Sequence, residues 1–418
     1  MAIQNNVSTM TGNFKNIYKG PFINKLPSSA KLMREMPMGS ATALGDFLAR
    51  PVELQWEHGL THAPPRNGRT TLLSSNAGQS QQALVEGYQI FGRAEVDYES
   101  MAKASMAGEK AFMAATKLVV QRLTKSGGKR SELNMLHGRR GLGTIESVSG
   151  SGTTRSWVIT SGSFIPACWA GSKNMTLDLF AANYTGTKVN SNAAVTITGV
   201  NLDTATRTLA VSGNATDLGN ITSGMQIFAE TSSPTNDMAG IDYTIRVQSG
   251  TFWNISATDN ELWRGNVISS SGSPGFAKII GGVQRAAELG LEDDTIAIVS
   301  PAYFTRLTDD YGSLQRFDYR YDAKKGVQGI EEIVFHGQTG LTRVMPHLFQ
   351  KPEQVHIICM SDWERVGAAD LDFKFPEGNS PFFQVPDIAA HELRIYGSFT
   401  PFCEAPSHQV VLTGVTYS

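Results

Sequence analysis

No stretch of 18 apolar residues occurs in the 418-residue chain, so no helix is expected to cross a membrane. Cysteine is scarce. Cys168, Cys359 and Cys403 are odd in number, far apart, and without the CxxC or Cys/His spacing of a metal site. That excludes a disulfide framework and points to buried thiols in a reducing compartment. Charge is thin as well: Asp, Glu, Lys and Arg make up 18% of the chain, against about a quarter in ordinary proteins. With a net charge of −2, nothing global argues for nucleic acid or an anionic membrane as partner. A surface so poor in charge suits a chain that covers itself by assembling. The start, MAIQNNVSTMTGNF, lacks the apolar core of a secretion signal, which predicts a soluble chain made in the cytosol.

Catalytic signatures are missing too. His58 and His62 stand four apart, but no Glu follows the first as a zinc protease needs, and Pro64-Pro65 lies just beyond. Gly138-Arg139-Arg140-Gly141-Leu142-Gly143 has the wrong glycine order for a dinucleotide loop. Gly127-Gly128-Lys129-Arg130 lacks the Ser/Thr and the upstream glycine of a phosphate loop. Lys129, Arg130, Arg139 and Arg140 form a basic spot, read as solvated or interface charge, with phosphate contact as the sharper alternative. Asp293-Asp294 and Asp309-Asp310 read as solvated or capping pairs. No catalytic, cofactor-binding or metal-binding residue is expected.

What the chain does have is a long helix. Tyr98 to Lys125 is proline-free, with one glycine, Gly108, and an apolar stripe rich in small residues. Ser126-Gly127-Gly128 predicts its end. Residues 1–50 read as an arm that is either disordered or embraces a neighbour, with a helical turn or two over 30–35. Pro51–Trp56 alternates as a strand should, a polar tip with Asn67-Gly68 follows, and Leu84–Val96 returns as a second strand. An isolated hairpin is marginal in water, so this one needs a surface from elsewhere. Residues 174–230 are β-branched and turn-rich, reading as a compact all-β module, a small barrel or sandwich. From Gly275 the pattern is α/β: a helix over 276–289, a buried strand over 295–300, a helix from Pro301, then strands near 329–335, 341–346 and 354–360. Residues 391–415 are β again, with Val410-Val411-Leu412 suited to a central strand.

This order of parts resembles the major capsid proteins of tailed bacteriophages (Caudoviricetes). Their Hong Kong 97-like fold is shared with encapsulins and herpesvirus capsid floors. Leu136-His137-Gly138-Arg139-Arg140-Gly141-Leu142-Gly143 and Phe402-Cys403-Glu404-Ala405-Pro406 also look like pieces of phage capsid proteins. The resemblance implies an α+β chain divided as follows: an N-terminal arm (1–50), an extended hairpin loop (51–97), a spine helix with peripheral domain (98–173), an all-β insertion (174–230), an axial domain (231–365) and a return to the peripheral domain (366–418). It implies a structural, non-enzymatic protein that builds an icosahedral virion shell from pentamers and hexamers in the host cytoplasm. The implied partners are scaffold, portal and decoration proteins and non-specifically packaged DNA, with no membrane and no cofactor. Inter-subunit contacts are expected at Trp56, His62, Arg66, Arg69, Tyr88, Gly108, Arg139 and Arg140. Some family members weld subunits through a lysine on the extended loop, but here no lysine lies between Lys31 and Lys103. Two alternatives stay open: an encapsulin-like compartment enclosing cargo proteins, and an α/β enzyme with a β accessory domain.

Overall fold

A computed structural model describes residues 31–39, 42–44, 47–54, 80–97, 109–182, 184, 186–314, 333–374, 383–384 and 390–416. The first described element is a short helix, α1 (Lys31–Glu35). Leu32, Met33 and Met36 are buried in the central core beside the long helix. The backbone N–H of Leu32 donates to Glu132 Oε1 at 2.8 Å, and Arg365 donates from Nε to the Met36 carbonyl at 2.9 Å. This part of the expected arm therefore packs into the core of its own chain. Residues 1–30 lie outside the described residues.

Strands β1 (Thr42–Leu44), β2 (Phe47–Glu53) and β3 (Ser80–Val85) form an antiparallel sheet in that order. Leu48 pairs with Val85 and Glu53 with Ser80, so β2 and β3 are the base of the expected hairpin, whose tip is outside the described residues. The second strand is not continuous over 84–96. It breaks at Glu86-Gly87, and β4 (Tyr88–Asp97) pairs elsewhere. At Gly87 a β-carbon would stand 2.8 Å from the Ser398 hydroxyl, so the crossing from one sheet to the other is made where no side chain intrudes.

The long helix α2 is described over Glu109–His137 and so does not end at 125; residues 98–108 of the expected helix lie outside the described residues. It runs through Gly127-Gly128, the predicted stop, for about two and a half further turns. Each glycine costs about 1 kcal/mol of helix propensity, but burial outweighs it. Leu133 enters one core, Met135 and Leu136 another, and every residue from Ser131 to His137 is buried. The side chains of 109–119 lie outside the described residues, so the small-residue stripe does too.

A closed six-stranded antiparallel barrel follows. Its strands are β5 (Gly143–Ser149), β6 (Thr154–Ile159), β7 (Thr176–Phe180), β8 (Val195–Val200), β9 (Thr208–Ser212) and β10 (Gln226–Ala229), in the order β10-β5-β6-β9-β8-β7. Closure removes the sheet edges. The core of the barrel holds Trp157, Trp169, Ile197 and Val211. The expected module begins too late at 174: β5 and β6, drawn from upstream, are two of the six staves. Short alternating runs flagged 194–211, whereas Gly143–Ser149 carries charge and polar residues that hid its pairing.

After the barrel come a helical turn, Ile241–Ile245, and a two-stranded hairpin, β11 (Thr251–Phe252) and β12 (Ile255–Ser256). Then β13 (Asn266–Gly272), β14 (Thr295–Val299), β15 (Ile333–His336), β16 (Leu341–Pro346) and β17 (Val355–Ile358) build most of a six-stranded sheet. Helices Phe276–Glu288 and Pro301–Leu314 cover one face. β14 is buried throughout because Ile296 and Ile298 face the central core while Ala297 and Val299 face these helices. Strands β18 (Trp363–Lys374), β19 (Phe383–Gln384) and β20 (Ala390–Cys403) make a second sheet with β4, and the long helix lies on it. Residues 366–418 do not return to one place. β21 (Val410–Val415) leaves that sheet and inserts between β13 and β17 of the six-stranded one. The expected central strand at 410–412 is therefore found, in the other sheet.

Candidate assembly site

The base of the hairpin rests on an aromatic knot. Trp253 stacks on Phe252 at 4.0 Å and meets Phe402 at 5.0 Å and Trp263 at 6.2 Å. It sits at the β11–β12 turn with φ 49°, a left-handed conformation that a bulky residue adopts only when its surroundings hold it there. Its carbonyl accepts from the Leu84 N–H at 3.0 Å, joining turn to hairpin. Arg50 of β2 reaches Glu364 and, at 3.3 Å, Glu404, so the hairpin is also held by charge. Sequence reasoning missed Trp253; the Trp-Asn pair between two short apolar runs was its only signal.

Beside the knot opens a cleft of about 520 Å³ whose walls include Phe47, Tyr88, Arg139, Asp237 and Trp253. Of the eight expected contact residues, Tyr88 and Arg139 line this cleft, and Arg140, next in the chain, does not. Trp56, His62, Arg66, Arg69 and Gly108 lie outside the described residues. Arg139 has φ 64°, directly after Gly138, and donates from Nε to the Asp237 carbonyl at 2.7 Å. Its guanidinium lies over the Tyr243 ring at 5.2 Å, and that of Arg140 lies over Tyr184 at 4.8 Å. Burial raises the Tyr88 hydroxyl above its ordinary value, with the Asp237 carboxylate adding to the effect. Burial likewise raises Asp237, and Arg130 opposes it. The basic spot read from sequence is thereby dispersed. Lys129 donates to the Cys168 carbonyl at 2.8 Å, Arg130 to Ser232, and the other two lie against tyrosines.

Under the cleft lies a buried polar junction of the long helix, the Ile241–Ile245 turn and the six-stranded sheet. Asp242 accepts from Arg246 Nε at 2.7 Å and stands 3.2 Å from His356 Nε2, while His356 Nδ1 is 3.0 Å from Gln350 Oε1. His137 Nε2 donates to the Phe349 carbonyl at 2.9 Å, and its ring centre is 6.2 Å from that of His356. Burial holds the His137 imidazole well below its usual range, and the Lys351 ammonium adds to this. Burial also lowers Lys351 to about 8. Asp242 lies well below the usual carboxylate range: burial pushes it up, but His356, Arg246 and Lys351 together outweigh burial. Glu132 of the long helix pairs with His347. These groups can fix the angle between elements. Among the described residues no group of three His, Cys, Asp or Glu side chains could hold a metal ion.

No protein-family model and no curated protein matches the chain. Solved structures do. The cyanophage A-1(L) capsid asymmetric unit is 10% identical, covers 92% of this chain and 91% of its own, and has a TM-score of 0.50. The capsid of the native GTA particle is 7% identical, with 92% and 90% covered and a TM-score of 0.46. The SrpI encapsulin from Synechococcus elongatus is 8% identical, with 37% and 56% covered and a TM-score of 0.25. The first likeness spans nine-tenths of both chains, so this chain has the fold of a phage capsid protein.

Proposed function

We propose that the protein is a major capsid protein that assembles into the icosahedral shell of a tailed phage and carries no catalytic activity. The observation that carries the reading is the likeness to the cyanophage capsid chain over 92% of the residues. The hairpin supports it. Its base is anchored by the aromatic knot and by Arg50, and its tip lies outside the described residues. In the Hong Kong 97-like arrangement it is the extended loop, the long helix is the spine, the six-stranded sheet is the axial domain and the β4–β20 sheet is the peripheral one. The barrel is an insertion between them. Trp56, His62, Arg66, Arg69 and Gly108 are proposed contacts across subunits, and Tyr88 and Arg139 offer the cleft to a neighbouring chain. Obligate interfaces of this kind bury more than about 2,000 Å².

Electron microscopy of the purified, overexpressed chain tests the reading. Shells of uniform size are expected. Monomers alone would return the chain to the enzyme class, and shells filled with protein cargo would favour the encapsulin-like alternative. A second expected result concerns covalent joining. Particles boiled in detergent should give one band at the chain mass of 45.2 kDa, because the hairpin holds no lysine to supply an amine. A ladder of multimers would show that another residue does the joining.

A further inference from the structure

The buried junction under the cleft holds more positive charge than acid. Lys351, between β16 and β17, is 4% exposed. Its ammonium gives one hydrogen bond, 3.3 Å long, to the Arg140 carbonyl, and among the described residues it has no ion pair. Asp242, the buried acid of the junction, already faces Arg246 Nε at 2.7 Å and His356 Nε2 at 3.2 Å. His356 is engaged on its other side too. Gln350 gives its N–H to the Gln354 carbonyl at 2.9 Å, which turns its amide oxygen toward His356 Nδ1. Glu353 acts on Lys351 more weakly than Asp242, Arg246 or Arg140 does, and its half-exposed carboxylate lies over Gly162. Three cations, Lys351, Arg140 and Arg246, thus meet one buried carboxylate. Two buried polar atoms of the same junction, Arg140 Nε and His137 Nδ1, have no partner among the described residues. His137 is 2% exposed, and its Nε2 is committed to the Phe349 carbonyl.

We propose that the junction holds a small monovalent anion, chloride, beside the Lys351 ammonium and the Arg140 Nε–H. An ammonium taken out of water without a counter-charge is strongly destabilising. Water would satisfy hydrogen bonds there and leave the charge unbalanced, whereas an anion does both. His137 Nδ1 becomes a further donor when its ring takes up a proton. The surrounding groups are buried or half-buried, which favours a monatomic ion over phosphate or an organic acid. Bound there, the ion would tie the end of the long helix to the six-stranded sheet. The site lies inside one chain and stands whether or not that chain builds shells.

The test is thermal unfolding of the full unassembled chain near neutral pH, with sodium chloride replacing sodium gluconate at constant ionic strength. An ion that binds only the folded chain adds stability with the logarithm of its concentration, once that exceeds the dissociation constant. Each tenfold step in chloride is expected to raise the melting temperature by about 1–2 °C in a chain of this length. Bromide should act alike. Well above the Lys351 value of about 8 the rise should shrink, because the ammonium has lost its proton. Lys351→Met keeps the bulk of the side chain without its charge, and its melting temperature should ignore chloride. Lys173→Ala, at an exposed position, should keep the full rise. A wild-type melting temperature that is flat in chloride overturns the proposal, since water alone would then fill the site. So does a rise that Lys351→Met retains, which would put the ion elsewhere. If Lys351→Met does not fold, anomalous scattering from bromide-soaked crystals of the wild-type chain decides. A bromide peak within hydrogen-bonding reach of Lys351 Nζ supports the site, and a junction without one overturns it.

Discussion

Gly138→Ala is expected to remove about 3 kcal/mol of stability, the upper end of what overpacking costs, and to abolish shell yield with it. A β-carbon at Gly138 would lie 2.5 Å from the Asn134 carbonyl oxygen and closer still to that of Met238. Both are backbone atoms, in the helix and in the loop packed against its end, so neither can swing aside as a side chain would. Gly240 is the other half of the contact, with its own β-carbon position 2.6 Å from the Gly138 nitrogen. The long helix and the cleft wall thus meet backbone to backbone. Gly281→Ala is the matched control. It sits inside the Phe276–Glu288 helix, nothing lies within 4 Å of its β-carbon position, and the change should add about 0.5–1 kcal/mol. Thermal unfolding of the two variants checks this. Equal midpoints would show that the backbone contact at Gly138 gives way easily.

Asp242→Asn should be comparably severe, at about 3 kcal/mol, because it leaves Arg246 and His356 facing an uncharged group in a buried site. The wild-type junction also makes stability depend on pH. The Asp242 carboxyl is depressed in the fold, so its contribution is full above its unfolded value near 4 and is lost as pH falls below that. His137 is depressed as well. The unfolded chain takes up that proton first, so stability declines as pH drops below about 6.5. Lys351 acts in the same direction at alkaline pH: as pH rises through about 8 the folded chain sheds a proton that the unfolded chain still holds, and stability increases. Melting temperature followed from pH 7, below the range in which Lys351 titrates, to pH 4 should therefore fall with onset near 6.5. In His137→Gln the fall should begin only near 4. A melting curve flat through pH 6 in the wild type would remove His137 from this account.

The parts that sequence made legible are those in which local pattern and burial agree. The helix from Phe276, the buried run TIAIV and the strand Leu341–Pro346 were readable because one face or two of each meets a core. The end of the long helix was not, since Gly127-Gly128 is a stop signal that only the burial of Leu133, Met135 and Leu136 overrides. The split at Glu86-Gly87 was hidden for a related reason. Strand-forming residues resume at Tyr88 directly beyond it, and only pairing with β20 shows that the strand has changed sheets. At the candidate site, Tyr88, Arg139 and Arg140 could be named as residues, yet the partners of the two arginines, Tyr184, Asp237 and Tyr243, come from distant parts of the chain. The junction of His137, Asp242, Lys351 and His356 left no mark in the sequence, because four unremarkable polar residues converge only in three dimensions.

The placement of β21 bears on how the chain is made. Among the described residues β13 pairs only with β21, and the two are parallel with Asn266 beside Val410, while β17 needs β21 to cover its second edge. A ribosome releases β13 long before β21 exists, so the six-stranded sheet stays in two pieces until residues 410–415 emerge. Contacts of such long range form slowly, and the open edges of β13 and β17 are exposed to other nascent chains meanwhile. The same arrangement ties closure of this sheet to completion of the chain. A product of interrupted translation that lacks residues 410–415 leaves β13 and β17 without the strand between them.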